Sequence, residues 1–515
     1  MTRTLILLLA AGAAVFHLFS AGVSPFTALV QRPIHLAFMA SLGFLGLGAR
    51  VRPSTTGALG EAPGSGSASG QIGTKSWPAV LTTGLLILAV LFTSLYLVSQ
   101  HEALVRRSGN PTPIDLVGGL LALGVVLELA RRTTGWGLVV VALLALAYAV
   151  SGPYLPGFLA HRGYGFTRLM EHLYLSTEGI WGVPLGVSAD FVYLFVLFGA
   201  LLDMAGGGAL LIGLADRATG RTRGGPAKTA ALASALMGSL SGSAVANVVT
   251  TGTFTIPLMR RSGFQPFFAG AIEAAASTGG QLMPPVMGAG AFILATWTNI
   301  PYPQVAVAAI VPAVLYYVAL LKAIHFRAGR MGLEGGRQQT GEAVLPRLHL
   351  LLPLGFIVVL LAMGRSPMRA AFWGVVSALG VSFLARTTRP NLPRIEKALL
   401  AAGSGAIQVA AACAAAGVVV GVASLTGIGL RMSELIITLS GGSLFLALLL
   451  TAMGSIVLGM GLPTTAAYVV LAALGAPALI QLGVPVLAAH LFIFYFGCIS
   501  NVTPPVSLAA YAASG

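Results

Sequence analysis

The sequence predicts an all-α polytopic membrane protein with about 12 membrane-spanning helices and two oppositely oriented re-entrant helical hairpins. Three observations predict it. Apolar residues form uninterrupted runs of about 17–25 residues, long enough to cross a bilayer as helices. Basic residues gather in alternate loops between the runs. Two related segments, each broken by Gly and Pro, occur in the second half of the chain.

Of the 515 residues, 56% are hydrophobic and 8% charged, and the mean hydropathy is +0.90. A soluble protein of this length needs far more charge to cover its surface. The runs lack the alternation of a membrane strand, and 66 glycines suit closely packed membrane helices. Crossings are expected near 4–23, 33–50, 78–99, 113–131, 135–152, 186–206, 266–298, 304–326, 347–363, 367–385, 397–424 and 486–514. The first, from Leu5 to Ser20, is read as a retained helix, because no convincing cleavage site follows it. Stretches 226–259 and 443–480 are interrupted by Ser-Gly-Ser and Gly-Leu-Pro and are read as the hairpins.

With the N-terminus inside, the inner loops hold 21 of the 29 basic residues, among them Arg131, Arg132, Arg221, Arg223, Arg260, Arg261 and Lys322. The net charge of +15 therefore reads as a topology signal, and no nucleic-acid partner is expected. The same orientation opens the first hairpin to the cytoplasm and the second outward, as an inverted repeat requires. Residues 53–76 form a Ser/Gly-rich linker, and 327–346 carry the densest polar run. Cys413 and Cys498 lie in apolar helices and imply no disulfide framework.

The repeat carries the candidate site. Met237-Gly238-Ser239 is followed 47 positions on by Pro284-Pro285-Val286, and Met453-Gly454-Ser455 is followed 51 positions on by Pro504-Pro505-Val506. A broken helix frees N–H groups at one new end and carbonyls at the other. In lipid these must face protein or a water-filled cavity. Free N–H groups favour an anion, and carbonyls suit a small hard cation. Hydroxyls and amides at the breaks can ligate an ion without a buried fixed charge. The candidates are Ser241, Gly242, Ser243, Asn247, Thr278, Gly279, Gly280 and Pro284 in one half-site. In the other they are Gly459, Gly461, Pro463, Thr464, Ser500, Asn501, Thr503 and Pro504. The plainer reading of each is that small polar residues join helices.

At these residues the sequence closely resembles the tripartite ATP-independent periplasmic (TRAP) transporters, in particular the fused permeases of the TAXI type. The likeness is carried by Arg32-Pro33-Ile34-His35-Leu36-Ala37-Phe38, Leu127–Arg132, Thr177–Ser188, Gly224–Lys228, Ser241–Thr251, Ala276–Gly280, Gly459–Tyr468 and Ala489–Phe492. It covers most of the chain from about residue 30. The resemblance implies an inverted-repeat, elevator-type fold with a fused four-helix small-subunit-like domain at 1–133 and a large-subunit-like part at 134–515, with ion-transporter-like hairpin repeats at 226–298 and 443–514. It also implies a periplasmic solute-binding protein as partner and an elevator-like movement. Implied substrates are small organic anions such as a dicarboxylate, a 2-oxoacid or glutamate. Uptake is driven by sodium held at the hairpin tips or by protons, with no other cofactor, in the bacterial inner membrane. Family members continue past the second Pro-Pro helix, so a truncated C-terminus is expected at Gly515.

Asp190, Asp203 and Glu273 lie in or near predicted spans, where ionisable groups face a cavity or a partner. Glu273 stands eleven residues before Pro284, about 16 Å along an ideal helix. It is a candidate proton carrier or a structural partner of Lys228. His490 is read as a hydrogen-bonded core histidine. The rival readings are a polytopic membrane enzyme and a channel without a binding protein. No HExxH, paired carboxylates, nucleophile-with-base pattern or phosphate loop supports an enzyme.

Overall fold

The structure is a computed structural model that describes residues 2–47, 77–107, 109–333 and 344–514. The linker at 53–76, the polar run at 334–343 and the inner-loop residues Arg50, Arg52, Lys75 and Arg337 lie outside the described residues.

The first helices are α1 (Thr2–Gly22), α2 (Ala28–Phe44), α3 (Trp77–Arg106) and α4 (Pro113–Thr134). α4 starts where Thr-Pro-Ile-Asp supplies a capping box: Asp115 accepts from the Thr112 backbone N–H at 2.7 Å and pairs with Arg107 at 2.9 Å. Gly135, at φ 87°, ends it and turns the chain into α5 (Trp136–Ser151). The short α6 (Phe166–Tyr174) follows. α7 (Val183–Val187) then runs through a π-helical turn at Ser188–Val192 into α8 (Tyr193–Met204).

Two similar units come next. α9 (Gly207–Thr219) precedes the hairpin of α10 (Gly225–Ser241) and α11 (Ala244–Arg261), and α12 (Pro266–Gly280) breaks before α13 (Ala289–Thr298). α14 (Tyr302–Arg330), α15 (Leu351–Ala362), α16 (Pro367–Ser382) and α17 (Leu392–Thr426) lead to the second unit. There α18 (Ile428–Leu439) precedes the hairpin of α19 (Leu444–Gly459) and α20 (Thr464–Gln481), and α21 (Val486–Ile499) breaks before α22 (Leu508–Ser514).

Among the described residues nine helices are long and apolar enough to cross a membrane, and the chain is a polytopic membrane protein. The number is below about 12 because α2 and α16 have 17 and 16 residues and the segments at 266–298 and 486–514 are each interrupted at their Pro-Pro pair. α20 meets the same length and composition limits, although its sequence reads as a hairpin arm. The stretch between the crossing read at 186–206 and the hairpin read from 226 holds α9. α18 likewise falls between the crossing read at 397–424 and the hairpin read from 443. Each follows a glycine in the left-handed region, Gly206 (φ 96°) or Gly427 (φ 70°), which ends the preceding long helix at little steric cost.

The structure also corrects the repeat's register. Ala244 and Thr464, Pro266 and Val486, and Pro284 and Pro504 each start or break a helix and are each 220 positions apart. The Met-Gly-Ser triplets are 216 apart, one helical turn out of step. Their surroundings differ accordingly. A Cβ on Gly238 would stand 2.9 Å from the Cα of Gly280, whereas one on Gly454 meets nothing within 4 Å. The close approach in the second unit is at Gly459, where a Cβ would stand 2.5 Å from Ser500 Oγ.

α17 is the axis of the bundle. It packs on α8, α5, α4, α2 and α20, and its alanines from Ala410 to Ala412 and Ala414 to Ala416 are fully buried. Lipid chains are as apolar as the helices, so association rests on close packing, which small residues permit.

Candidate functional site

The two hairpin tips meet at one small cavity of about 30 Å³. Gly242, Ser243, Ala244 and Val245 line it from the first tip, and Pro463, Thr464 and Thr465 from the second. Asn501, Leu508 and, from the middle of α17, Gln408 and Val409 complete it. Ser243 caps α11 by accepting from the Ala246 N–H, and Pro463 precedes the first turn of α20. The N-terminal ends of two 18-residue helices therefore converge on the cavity. Their first N–H groups have no intrahelical acceptors, and both dipoles place partial positive charge there. Among the described residues no ionisable side chain lines the cavity, so its chemistry is that of hydroxyls, amides and backbone. Its volume suits a water or a small ion but not an organic anion.

Ser243, Thr464 and Asn501 are thus brought together from both predicted half-sites. Asn501 donates to Thr464 Oγ1 at 2.9 Å across the break. Thr503 lies just beyond, its hydroxyl on the Ile499 carbonyl at 3.0 Å, and Ser500 donates to the Gly497 carbonyl at 2.7 Å. Gly461, at φ 78°, supplies the left-handed turn of the second tip. Gly279 and Gly280 serve packing. A Cβ on Gly279 would enter the Tyr316 ring, and one on Gly280 would stand 2.7 Å from the Cα of Gly238. The carbonyls of Thr278, Gly279 and Gly280 accept from the N–H groups of Gln281, Leu282 and Met283, so the first break is closed by turns. Pro284-Pro285 and Pro504-Pro505 are both cis.

A second polar cluster lies beneath the first tip. Glu273 is fully buried, and the hydroxyls of Ser234, Thr251, Thr255 and Ser277 donate to its carboxylate at 2.5–3.1 Å. Lys228 is not its partner; Nζ bonds Thr222 and His325 instead. Each donor has another place for its proton. Thr251 reaches the Asn247 carbonyl at 2.7 Å, Thr255 the Thr251 carbonyl at 3.0 Å, and Ser234 and Ser277 lie 2.9 Å apart. The cage therefore suits both protonation states. Four hydroxyls serve the carboxylate's lone pairs, and when the acid is protonated Thr251 or Thr255 can turn to its carbonyl and accept the O–H.

Asn247 bridges this cage to the tip, donating to Ser234 and Ser277 while its Oδ1 has no partner. Ser241 Oγ, Thr278 Oγ1 and both polar atoms of the Gln281 amide are likewise buried without partners. Unsatisfied polar groups are rare in folded proteins and mark sites of function or of bound water or ions. These belong to the first hairpin or its broken helix, whereas among the described residues the second hairpin holds Thr451 Oγ1 alone. At the equivalent place in the second unit Asn501 has spent its amide on Thr464.

Sequence reading missed Gln408, whose signal is a lone amide in the middle of the apolar run of α17. The remaining charged and aromatic candidates are structural. His490 bonds the Tyr468 hydroxyl at 2.9 Å, Asp190 accepts from Gln31 at 2.7 Å, and Asp203 accepts from the Gly208 backbone. Among the described residues no three His, Cys, Asp or Glu gather as metal ligands.

A helical membrane bundle in which two hairpins and two broken helices enclose a neutral polar cavity has the build of a solute permease. The chain belongs to the tripartite ATP-independent periplasmic transporter family, DctM component, whose model matches residues 121–515. It is therefore a transporter permease rather than an enzyme, and a multi-pass protein of the bacterial inner membrane. It is 31% identical over 223 residues to an uncharacterised protein, y4mL, of Sinorhizobium fredii, covering 39% of this chain and 52% of that one. The chain thus spans about half the length of that relative. A C4-dicarboxylate TRAP transporter large permease protein of Pseudomonas aeruginosa is 28% identical over 329 residues, 62% of this chain and 75% of its own. An isethionate TRAP transporter permease protein, DctMQ, of Oleidesulfovibrio alaskensis is 22% identical over 444 residues, 84% and 63% of the two chains.

Proposed function

We propose that this chain is the fused membrane subunit, of the TAXI type, of a secondary uptake system to which a periplasmic solute-binding protein delivers a small organic anion. A dicarboxylate, a 2-oxoacid or glutamate fits the class. The observation that carries the reading is the convergence of two helix N-termini on one uncharged polar cavity, which stabilises an anion without an opposing fixed charge. The cavity is smaller than such a solute, so the tips must separate to admit it. Elevator-like displacement of the two hairpin units against α17 supplies that movement. Residues 1–133 act as the small subunit, an assignment supported by the span of the likeness to the DctMQ relative.

Coupling runs through Glu273, because a buried acid with only neutral donors and redirectable hydroxyls can take up and release a proton with no more than hydroxyl rotation in its cage. Sodium is the second reading, favoured by the unpartnered oxygens of Asn247, Thr278 and Gln281. Purified permease in proteoliposomes, with its loaded binding protein outside, should take up solute under an inward proton gradient. A sodium gradient without a pH difference should drive little. Sodium-driven uptake indifferent to pH reverses the choice of ion, and full-rate uptake without the binding protein overturns the tripartite reading.

Two further outcomes are expected. Gln408→Leu keeps the volume of α17 but removes its amide from the cavity, and should raise the KM for uptake about tenfold, the cost of roughly one hydrogen bond to a charged group. An unchanged KM removes Gln408 from the site. Arg221→Cys, in the turn between α9 and α10, should resist an impermeant thiol reagent in intact cells, and ready labelling reverses the orientation.

A further inference from the structure

A cavity of about 260 Å³, separate from the tip cavity, opens between α2, the segment before α7, α17 and the end of α13. Arg32, in the first turns of α2, supplies its cationic wall. One of the five guanidinium N–H donors is spent on the Trp181 carbonyl, and among the described residues the others have no protein acceptor. Asp190 is near enough to feel the charge but forms no ion pair with it, being held by Gln31. Gly186 lets the guanidinium lie against α7, since a Cβ there would stand 2.8 Å from it. Trp297, Pro184 and Val420 give the cavity an apolar wall, and the solvated Glu178 lies in its lining. The segments that build it, around Arg32 and Thr177–Ser188, take no part in the tip site.

We propose that this cavity is an outer anion vestibule, in which Arg32 receives the carboxylate or sulfonate of a small solute while its carbon skeleton rests against Trp297, Pro184 and Val420. A planar guanidinium with unspent parallel donors matches a planar or tripodal oxyanion. The volume holds a small solute, which the tip cavity does not. The position is the outer side by the basic-residue orientation, with the start of α2 and the end of α17 both facing out. Trp297 is the one wall that belongs to a hairpin unit, so displacement of that unit opens the vestibule toward the tips.

The solute's identity and direction of travel rest on the uptake reading; the anion preference does not. It is measured first without transport, in right-side-out vesicles. Ala28→Cys is labelled with an anionic and a cationic methanethiosulfonate, with rates normalised to Tyr154→Cys, a position 89% exposed. Cys413 and Cys498 are fully buried and add no background. The anionic reagent should react about tenfold faster at the vestibule. Arg32→Gln should remove the preference, Arg32→Lys should retain much of it, and Glu178→Gln should increase it. Equal rates for the two reagents with Arg32 present, or a preference untouched by Arg32→Gln, overturn the proposal. In uptake from loaded binding protein, Arg32→Gln should raise KM about tenfold with the maximal rate within about twofold, and Arg32→Lys should recover part. A fall in maximal rate alone marks Arg32 as a clasp on Trp181 and also overturns it. If the unaltered protein takes up nothing, the uptake reading fails while the labelling still decides the vestibule.

Discussion

Glu273→Gln is expected to abolish uptake driven by a pH gradient while leaving the protein inserted and able to exchange labelled for unlabelled solute. Glutamine has the shape of the protonated acid but cannot lose a proton. Its NH2 group replaces a carboxylate oxygen to which hydroxyls donate, yet Thr251 and Thr255 can turn to the Asn247 and Thr251 carbonyls, so the cage tolerates the change. A pH difference of one unit is worth about tenfold accumulation per proton, and that factor should disappear. Exchange needs no net proton movement and should persist. The measurement is uptake against an imposed pH gradient beside counterflow at uniform pH. A variant that still accumulates solute in proportion to the gradient would show that the proton travels elsewhere. Loss of both activities with intact folding would make Glu273 part of the solute path rather than its coupling group.

The second large effect is on stability. Gly280→Ala places a methyl 2.7 Å from the Cα of Gly238, backbone against backbone, where no side chain can swing away. Overpacking of this kind costs about 1–3 kcal/mol and sometimes more, which outweighs the fraction of a kcal/mol that alanine gains over glycine in a helix. Gly454→Ala, in the triplet that matches Gly238 by letter, has open space and should be neutral within about 0.5 kcal/mol. Thermal unfolding of the detergent-solubilised protein separates them. A similar change in both would mean that the first hairpin does not rest on its broken helix as closely as described, and the 220-residue register would lose its packing argument.

The apolar periods and the Gly/Pro breaks made the hairpins, the broken helices and most of the spans legible, because each depends on local sequence. Contact across the bundle left no such trace. The Met-Gly-Ser coincidence pointed to the right segments at a spacing one turn out, since three letters cannot tell which face of a helix a residue occupies. Gln408 belongs to neither repeat, so a search for paired segments passes over it. Glu273 was visible as an acid in an apolar run, but its four hydroxyls come from three helices, α10, α11 and α12, and only the fold brings them together. Ser243 and Thr464 were singled out in separate half-sites, and in the structure they line one cavity.

The two units are built on one register, yet the acid occurs in only one of them. The position 220 residues after Glu273 is Ile493, buried in α21. On the proton coupling proposed above, a single titrating group moves one positive charge with each solute. A monoanion then crosses with no net charge, and the voltage across the inner membrane neither helps nor hinders it. A fully ionised dicarboxylate would carry one negative charge inward against an interior-negative potential, opposed by about 2.3 kcal/mol for every 100 mV. On that reading, Glu273 without a twin favours singly charged cargo in an energised cell, and voltage dependence of uptake reports the valence of the solute.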